Sequence, residues 1–171
     1  MLDILRKRRS IRRYKDTEIS PEVIEQLKEA VLRSPSSRGI NPWRFVFVTN
    51  RDLLDRLSQA KRDGSSFLKD ARLGVVVCAD QTASDTWIED CSIASIILQL
   101  TGQSLDLGSC WIQIRNRVHG SGRPSEEYVR DLLGLSEKMK VESIISFGYP
   151  DEDKEPLSLQ ELEFPKIQMK E

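Results

Sequence analysis

Gly74-Val75-Val76-Val77-Cys78-Ala79 is an unbroken apolar run of strand length. With no polar residue alternating through it, it reads as a β-strand covered on both faces. Such a strand needs helices on either side, and the flanking sequence offers them. Upstream, Asp52 opens a helical pattern with Leu53, Leu54, Leu57 and Ala60 on one side. Downstream, the stretch from about Thr86 to Leu105 reads as a long central helix. In it Ile93, Ile96, Ile97 and Leu100 supply bulk, while Cys91, Ser92, Ala94 and Ser95 are small enough to let other elements approach.

Further out, three more β-rich runs belong to the same sheet: Phe45–Val48, Ser109–Arg115 (SCWIQIR) and Val141–Phe147, the last closed by Gly148-Tyr149-Pro150. A helix is marked by Ser20 as N-cap, Pro21 at its first position and Glu22 and Glu25 in its first turn, with Val23, Ile24, Leu27, Ala30 and Val31 as its stripe. Residues 2–8 suit a short helix, and Ser125 is expected to cap another that carries Glu126 and Glu127 early and Gly134 past its end. There is no internal repeat and no linker. One α+β domain over residues 1–171 is the economical reading.

Composition removes several function classes. The 26 basic and 27 acidic side chains nearly cancel, so no global field points to nucleic acid or an anionic membrane. No apolar run reaches the roughly eighteen residues that span a bilayer, and Met1-Leu2-Asp3 leads into no signal-type hydrophobic segment. Cys78, Cys91 and Cys110 are far apart and sit in apolar stretches, as reduced core thiols of a cytoplasmic protein do. The single histidine, His119, lies in a polar loop, which excludes a histidine-rich zinc site and leaves a Ser-His or Cys-His mechanism only that residue. Neither a nucleophile elbow nor a Walker loop is present. Hard chemistry, if there is any, then belongs to a cofactor.

Three segments could bind one. Arg8-Arg9-Ser10-Ile11-Arg12 offers two guanidiniums and a hydroxyl suited to phosphate, with Arg8 and Arg12 on one side if the turn is helical. Composition alone favours a solvated basic chain end over that reading. Ser34-Pro35-Ser36-Ser37-Arg38-Gly39-Ile40-Asn41-Pro42-Trp43 has the hydroxyls, amide and backbone N–H groups to meet a polar ring edge or ribityl chain, or is a plain connection. In Leu107-Gly108-Ser109-Cys110-Trp111-Ile112-Gln113 the glycine would let backbone approach a flat ligand. Cys110 and Trp111 also fit an inert core. Gly120-Ser121-Gly122 lacks the third glycine of a dinucleotide site, and Asp151-Glu152-Asp153 reads as a solvated turn.

Taken together and in order, Arg-Arg-Ser-Ile-Arg-Arg-Tyr, Ser-Pro-Ser-Ser with Asn-Pro-Trp-Arg-Phe, Asp90 opening the long helix, Leu-Gly-Ser-Cys-Trp-Ile and Gly-Tyr-Pro resemble the small FMN-dependent members of the nitroreductase family over nearly the whole chain. The resemblance implies the nitroreductase-like fold, with a central mixed, mostly antiparallel sheet flanked by helices, a homodimer with FMN at its interface, and NADH or NADPH as electron donor. The acceptor would be a small electron-poor molecule: a nitro compound, a quinone or an enone-like compound. It implies neither a nucleic-acid nor a membrane partner. By the same resemblance Arg8, Ser10 and Arg12 clamp the FMN phosphate, with Arg9 beside them. Ser36, Ser37, Arg38 and Asn41 reach the flavin of the other subunit. Trp111, Ile112 and Gln113 line the ring, and the backbone of Gln113 and Ile114 lies near flavin N5.

The sequence departs from the family in three places. Asn41 stands where Gln is common and Gln113 where Gly is common, and of the basic pair that often follows Gly-Tyr-Pro and helps hold the phosphate only Lys154 is present. The charged tail, about residues 151–171, carries scattered Leu157, Leu159, Leu162, Phe164, Ile167 and Met169, and the resemblance makes it a dimerisation arm wrapping the partner. Two other outcomes fit the same scaffold: a non-catalytic flavin-binding or storage protein, and a specialist flavin reaction such as reductive dehalogenation.

Overall fold

A computed structural model describes residues 1–170. The first helix, α1 (Leu2–Lys7), is followed by α2 (Pro21–Leu32), β1 (Trp43–Val48) and α3 (Arg51–Ser58). Next come β2 (Leu73–Asp80), α4 (Trp87–Ser104), β3 (Gly108–Gln113), α5 (Ser125–Leu133) and β4 (Met139–Gly148). Among the described residues the strands form one sheet in the order β1-β2-β4-β3. Every ladder is antiparallel. The parallel component of the expected mixed sheet is an isolated bridge between Ser10 and Ser109. No helix among the described residues is long and apolar enough to cross a membrane.

β2 sits inside the sheet, and Leu73 through Ala79 are all buried, as the apolar run requires. Its side chains alternate between two cores. Val75, Val77 and Ala79 face α2 and α4 together with Ile145 and Phe147. Val76 and Cys78 face the other layer, where Leu54 and Leu57 of α3, Leu68 and Val129 of α5 meet Ile112 and Ile144. The small residues of α4 let it lie close to the sheet, and Ser95 and Ser143 share a hydrogen bond of 3.0 Å across that seam.

Local signals account for most boundaries. Ser20 Oγ accepts from Val23 N, with Pro21 at the first helical position. Gly134 ends α5 in the left-handed region at φ 63°. Two expectations change. α3 begins at Arg51 because Asn50 is its cap, accepting from Leu53 N at 2.9 Å. Ser125 does not cap α5; it is the first helical residue after Pro124, and its buried hydroxyl has no partner. Gln113 ends β3, and the chain turns at Asn116, whose φ is 57°.

Candidate functional site

The Ser10–Lys15 segment lies along the start of β3 and the end of β4. Ile11 N donates to Ser109 O at 2.9 Å, and Lys15 N donates to Tyr149 O at 2.9 Å. Two glycines make the seat. Gly108 and Gly148 are paired across β3 and β4. A Cβ on Gly108 would meet Ile11 atoms at 2.8 Å, and one on Gly148 would meet Tyr14 at 2.8 Å. Gly108 therefore admits a side chain of its own chain, where a flat ligand was expected. Tyr14 closes the seat: its hydroxyl donates to Ile11 O at 2.6 Å and lies 2.7 Å from Ser146 Oγ. Burial pushes that phenol well above its ordinary range.

α1 ends at Lys7 and Arg8 is extended, so Arg8 and Arg12 do not share a helical face as the spacing suggested. Both flank Ser10 on extended chain that is held against β3. Lys154 joins them, donating to Ser10 O at 2.6 Å, and Arg9 donates to Glu155 O. The Arg12 guanidinium lies 5.7 Å from the centre of the Phe67 ring. Neither Arg8 nor Arg12 has a carboxylate within salt-bridge distance of its side chain among the described residues.

Cys110 follows Ser109, the bridge partner of Ser10, on β3. Burial pushes the thiol up, while Arg12, the Ser10 hydroxyl, Lys154 and Lys61 all pull it down. Lys61 was not anticipated from sequence. Burial lowers its ammonium below the usual lysine range, with Arg117 and Arg12 adding to the shift. It follows a helix in a polar turn, and no pattern within residues 59–64 marks it. Glu152 was read as part of a solvated turn, yet its side chain is only 13% exposed. Its carboxylate accepts from Arg12 N at 2.5 Å and Arg13 N at 3.3 Å. Its place after Gly-Tyr-Pro, beside Lys154, was the available signal. Guanidinium, ammonium and hydroxyl donors thus gather along the Arg8–Arg12 segment as a cradle whose chemistry can recognise a phosphate monoester.

β3 runs from this cradle as an edge strand, about 13 Å from Ser109 to Gln113 at 3.3–3.4 Å per residue. Because Ser109 O faces Ile11, away from β4, alternation turns the backbone groups of Trp111 and Gln113 to the same open edge. Ile114 N, by contrast, donates to Glu142 O at 3.1 Å, so of the two backbone groups expected at the ring only that of Gln113 is open. Ile112 and Ile114 bury their side chains completely. The Gln113 amide is fixed on three sides. Its oxygen accepts from Trp111 Nε1 at 2.9 Å, and its nitrogen donates to Arg115 O at 3.1 Å and Glu142 Oε1 at 3.3 Å.

The Ser36–Asn41 loop stands apart from the cradle. Arg38 and Asn41 both have positive φ, 55° and 51°. Ser36 Oγ accepts from Asn41 N at 2.8 Å and donates to Asn41 Oδ1 at 2.6 Å. Ser37 N donates to Asp90 Oδ1 at 2.9 Å, and Arg38 pairs with Asp85. Asp90 is 2% exposed, so the loop is pinned to the first turn of α4 by a buried carboxylate. Among the described residues these hydrogen bonds and ion pairs do not connect the loop to Arg8, Arg9, Ser10, Arg12 or Lys154.

Comparison with known proteins places these features in context. Residues 5–87 match the model of the nitroreductase family. An FMN-dependent nitroreductase from Clostridium difficile R20291 is 42% identical, with a TM-score of 0.97 over 100% of this chain and 99% of that one. An Archaeoglobus fulgidus protein with the provisional name NADH dehydrogenase/NAD(P)H nitroreductase is 36% identical over 158 residues, 90% of this chain and 87% of its own length. A structure from Desulfovibrio desulfuricans, solved in complex with FMN, shares the fold at 23% identity and a TM-score of 0.78, over 99% of this chain and 96% of that one.

Proposed function

This chain belongs to the nitroreductase family, and from that premise we propose that it is an FMN-dependent NAD(P)H oxidoreductase reducing small electron-poor acceptors such as nitro compounds, quinones or enone-like molecules. The observation that carries the reading is the Ser10 cradle. Its cationic and hydroxyl donors suit a terminal phosphate, and no dinucleotide fingerprint accompanies them. FMN therefore fits the residues present better than FAD does.

Arg8, Ser10, Arg12 and Lys154 would hold the phosphate, with Arg9 at the rim. The open β3 edge, from Trp111 to Gln113, would face the ring. The chemistry that FMN supplies when bound is two-electron transfer from a nicotinamide to an acceptor. The protein's own part is electrostatic and positional. Arg12 and Lys61 bring positive charge to the Cys110 side of the cradle, which favours negative charge on a ligand there. Gln113, paired to β4 through its strand, presents its backbone N–H to the open edge.

A single domain with a C-terminal arm over about residues 151–171, assembled as a homodimer, completes the proposal. Ser36, Ser37, Arg38 and Asn41 would serve the partner's flavin. Two features support this: the loop's separation from its own cradle, and a tail whose Leu157, Leu159, Phe164, Ile167 and Met169 are all more than half exposed. The test is to release and chromatograph the flavin, then record the spectrum of the protein before and after anaerobic NADH. FMN that bleaches is expected. FAD, or no flavin uptake, overturns the cofactor assignment, and bound FMN indifferent to NADH and NADPH makes the protein a flavin carrier.

A further inference from the structure

We propose that Glu152 is a positioning residue for the phosphate cradle, acting through Lys154 and the backbone of Arg12 and Arg13. The inference rests on the FMN reading above and goes beyond it. Glu152 Oε1 accepts three donors: Arg12 N at 2.5 Å, Arg13 N at 3.3 Å and Lys154 Nζ at 3.2 Å. Its other oxygen lies 3.9 Å from Arg13 Nε. Burial pushes this carboxyl up, but the Arg12 N–H, the Lys154 ammonium and the Arg13 N–H outweigh burial and hold it below the usual carboxylate range.

A carboxylate next to a phosphate site repels the ligand, so its presence calls for a compensating role. The backbone supplies one. Tyr14 bridges Pro150, and Asp151 N donates to Arg13 O at 3.0 Å, so the chain after β4 zips onto Arg13–Lys15. Glu152 continues that zip by a side chain where the backbones diverge. Lys154 has three N–H groups. One goes to Ser10 O and one to Glu152, so its flexible stem is held at two points and the third N–H is directed by them. Holding a long cation in place before the ligand arrives removes an ordering cost from binding. The carboxylate thus favours phosphate binding by geometry although it opposes it by charge.

The two contributions separate in variants. Glu152→Ala removes the acceptor; Glu152→Gln keeps an oxygen for the backbone N–H groups and removes the negative charge. FMN and riboflavin, which lacks the phosphate, are titrated by fluorescence quenching into the full-length protein. Glu152→Ala is expected to weaken FMN about tenfold and to leave riboflavin unchanged, and Glu152→Gln to recover most of the loss. Equal losses of FMN and riboflavin, no loss of FMN, or failure of glutamine to rescue would each overturn the proposal. If the alanine variant does not fold, Glu152→Asp, which keeps the charge but shortens its reach to Arg12 N and Lys154, is expected to weaken FMN and leave riboflavin unchanged, and unchanged FMN affinity overturns the proposal. A parent protein that takes up neither flavin refutes the FMN reading instead, so the two failures are distinct.

Discussion

The Ser10 cradle and the Ser36–Asn41 loop are both short polar segments outside the sheet and long helices, yet they use their polar groups in opposite ways. In the loop, hydroxyl, amide and guanidinium are satisfied by one another, by Asp85 and by Asp90. In the cradle, the packing is done by Ile11 and Tyr14, and the Arg8 and Arg12 guanidiniums are left without carboxylates. The loop's polar groups hold its own shape, while the two cradle guanidiniums stay open to an anion. Removing the loop's anchors should therefore act first on stability, and removing the cradle's cations on phosphate affinity.

The largest expected effect is at Arg12. Charge-assisted hydrogen bonds contribute about 1.5–3 kcal/mol each, roughly ten- to a hundredfold in affinity. Arg12→Ala should weaken FMN by that factor and leave the melting temperature nearly unchanged. Arg13, whose side chain is 72% exposed beside Glu152, should lose little on the same substitution. Flavin fluorescence titration of both variants, with thermal unfolding alongside, makes the check. Equal losses would break the contrast at its stronger end.

The opposite pattern is expected at Asp90. Its buried carboxylate accepts from Ser37 N at 2.9 Å and lies within 3.5 Å of the hydroxyls of Ser84 and Thr86. Asp90→Ala should cost about 1.5–3 kcal/mol of stability and leave cradle geometry intact. Chemical denaturation measures the first, and inorganic phosphate titration measures the second. If the variant keeps its stability but loses phosphate affinity, the loop is no shape-holding element and the two regions are one.

Much of this division is legible in the sequence. The apolar run of β2, the Ser20-Pro21 start of α2 and Gly134 after α5 are local signals, and local physics decides them. Grouping Arg8, Ser10, Arg12 and Lys154 needed the resemblance, because residues 144 apart in sequence meet only through the sheet. What stayed hidden was contextual. Glu152 looks like any acidic turn until the chain after β4 brings it to the backbone N–H of Arg12. Lys61 gains its meaning from burial near Arg12 and Arg117. Gly108 seats Ile11, a contact that composition cannot reveal.

That seat supplies a test in which both kinds of effect should appear together. A methyl group on Gly108 would stand 2.8 Å from two atoms of Ile11, whose branched side chain has little freedom to yield. Gly108→Ala should cost about 1–3 kcal/mol through overpacking and also weaken FMN, because moving Ile11 moves Ser10 and Arg12. Unfolding and flavin titration on the one variant suffice. Unchanged FMN affinity with reduced stability would mean that the cradle's donors do not depend on that seat.

The smallest effect is expected at Glu142, which sharpens the contrast by supplying an unpaired group away from the cradle. Glu142 is 4% exposed; its Oε1 accepts from Gln113, while Oε2, like Oε1 of Glu126, is buried without a partner. Burial raises its carboxyl above the ordinary value, Gln113 and Arg115 offset part of that, and Glu126 and Glu89 push it further up. A raised folded-state value means that the folded chain holds this proton more tightly than the unfolded chain. The associated stability is complete below the unfolded value of about 4.3 and is lost as pH rises through the folded value. Glutamine at this position keeps the oxygen for Gln113 and removes the buried charge. At pH 7 Glu142→Gln should therefore stabilise the fold by about 1 kcal/mol, raising Tm by about 2–4 °C. The gain should shrink toward zero as pH falls below about 4. Paired melts of parent and variant across that range give the comparison. A variant less stable than its parent at pH 7 would show that the charged carboxylate, with Gln113 and Arg115 acting on it, stabilises the fold instead of opposing it.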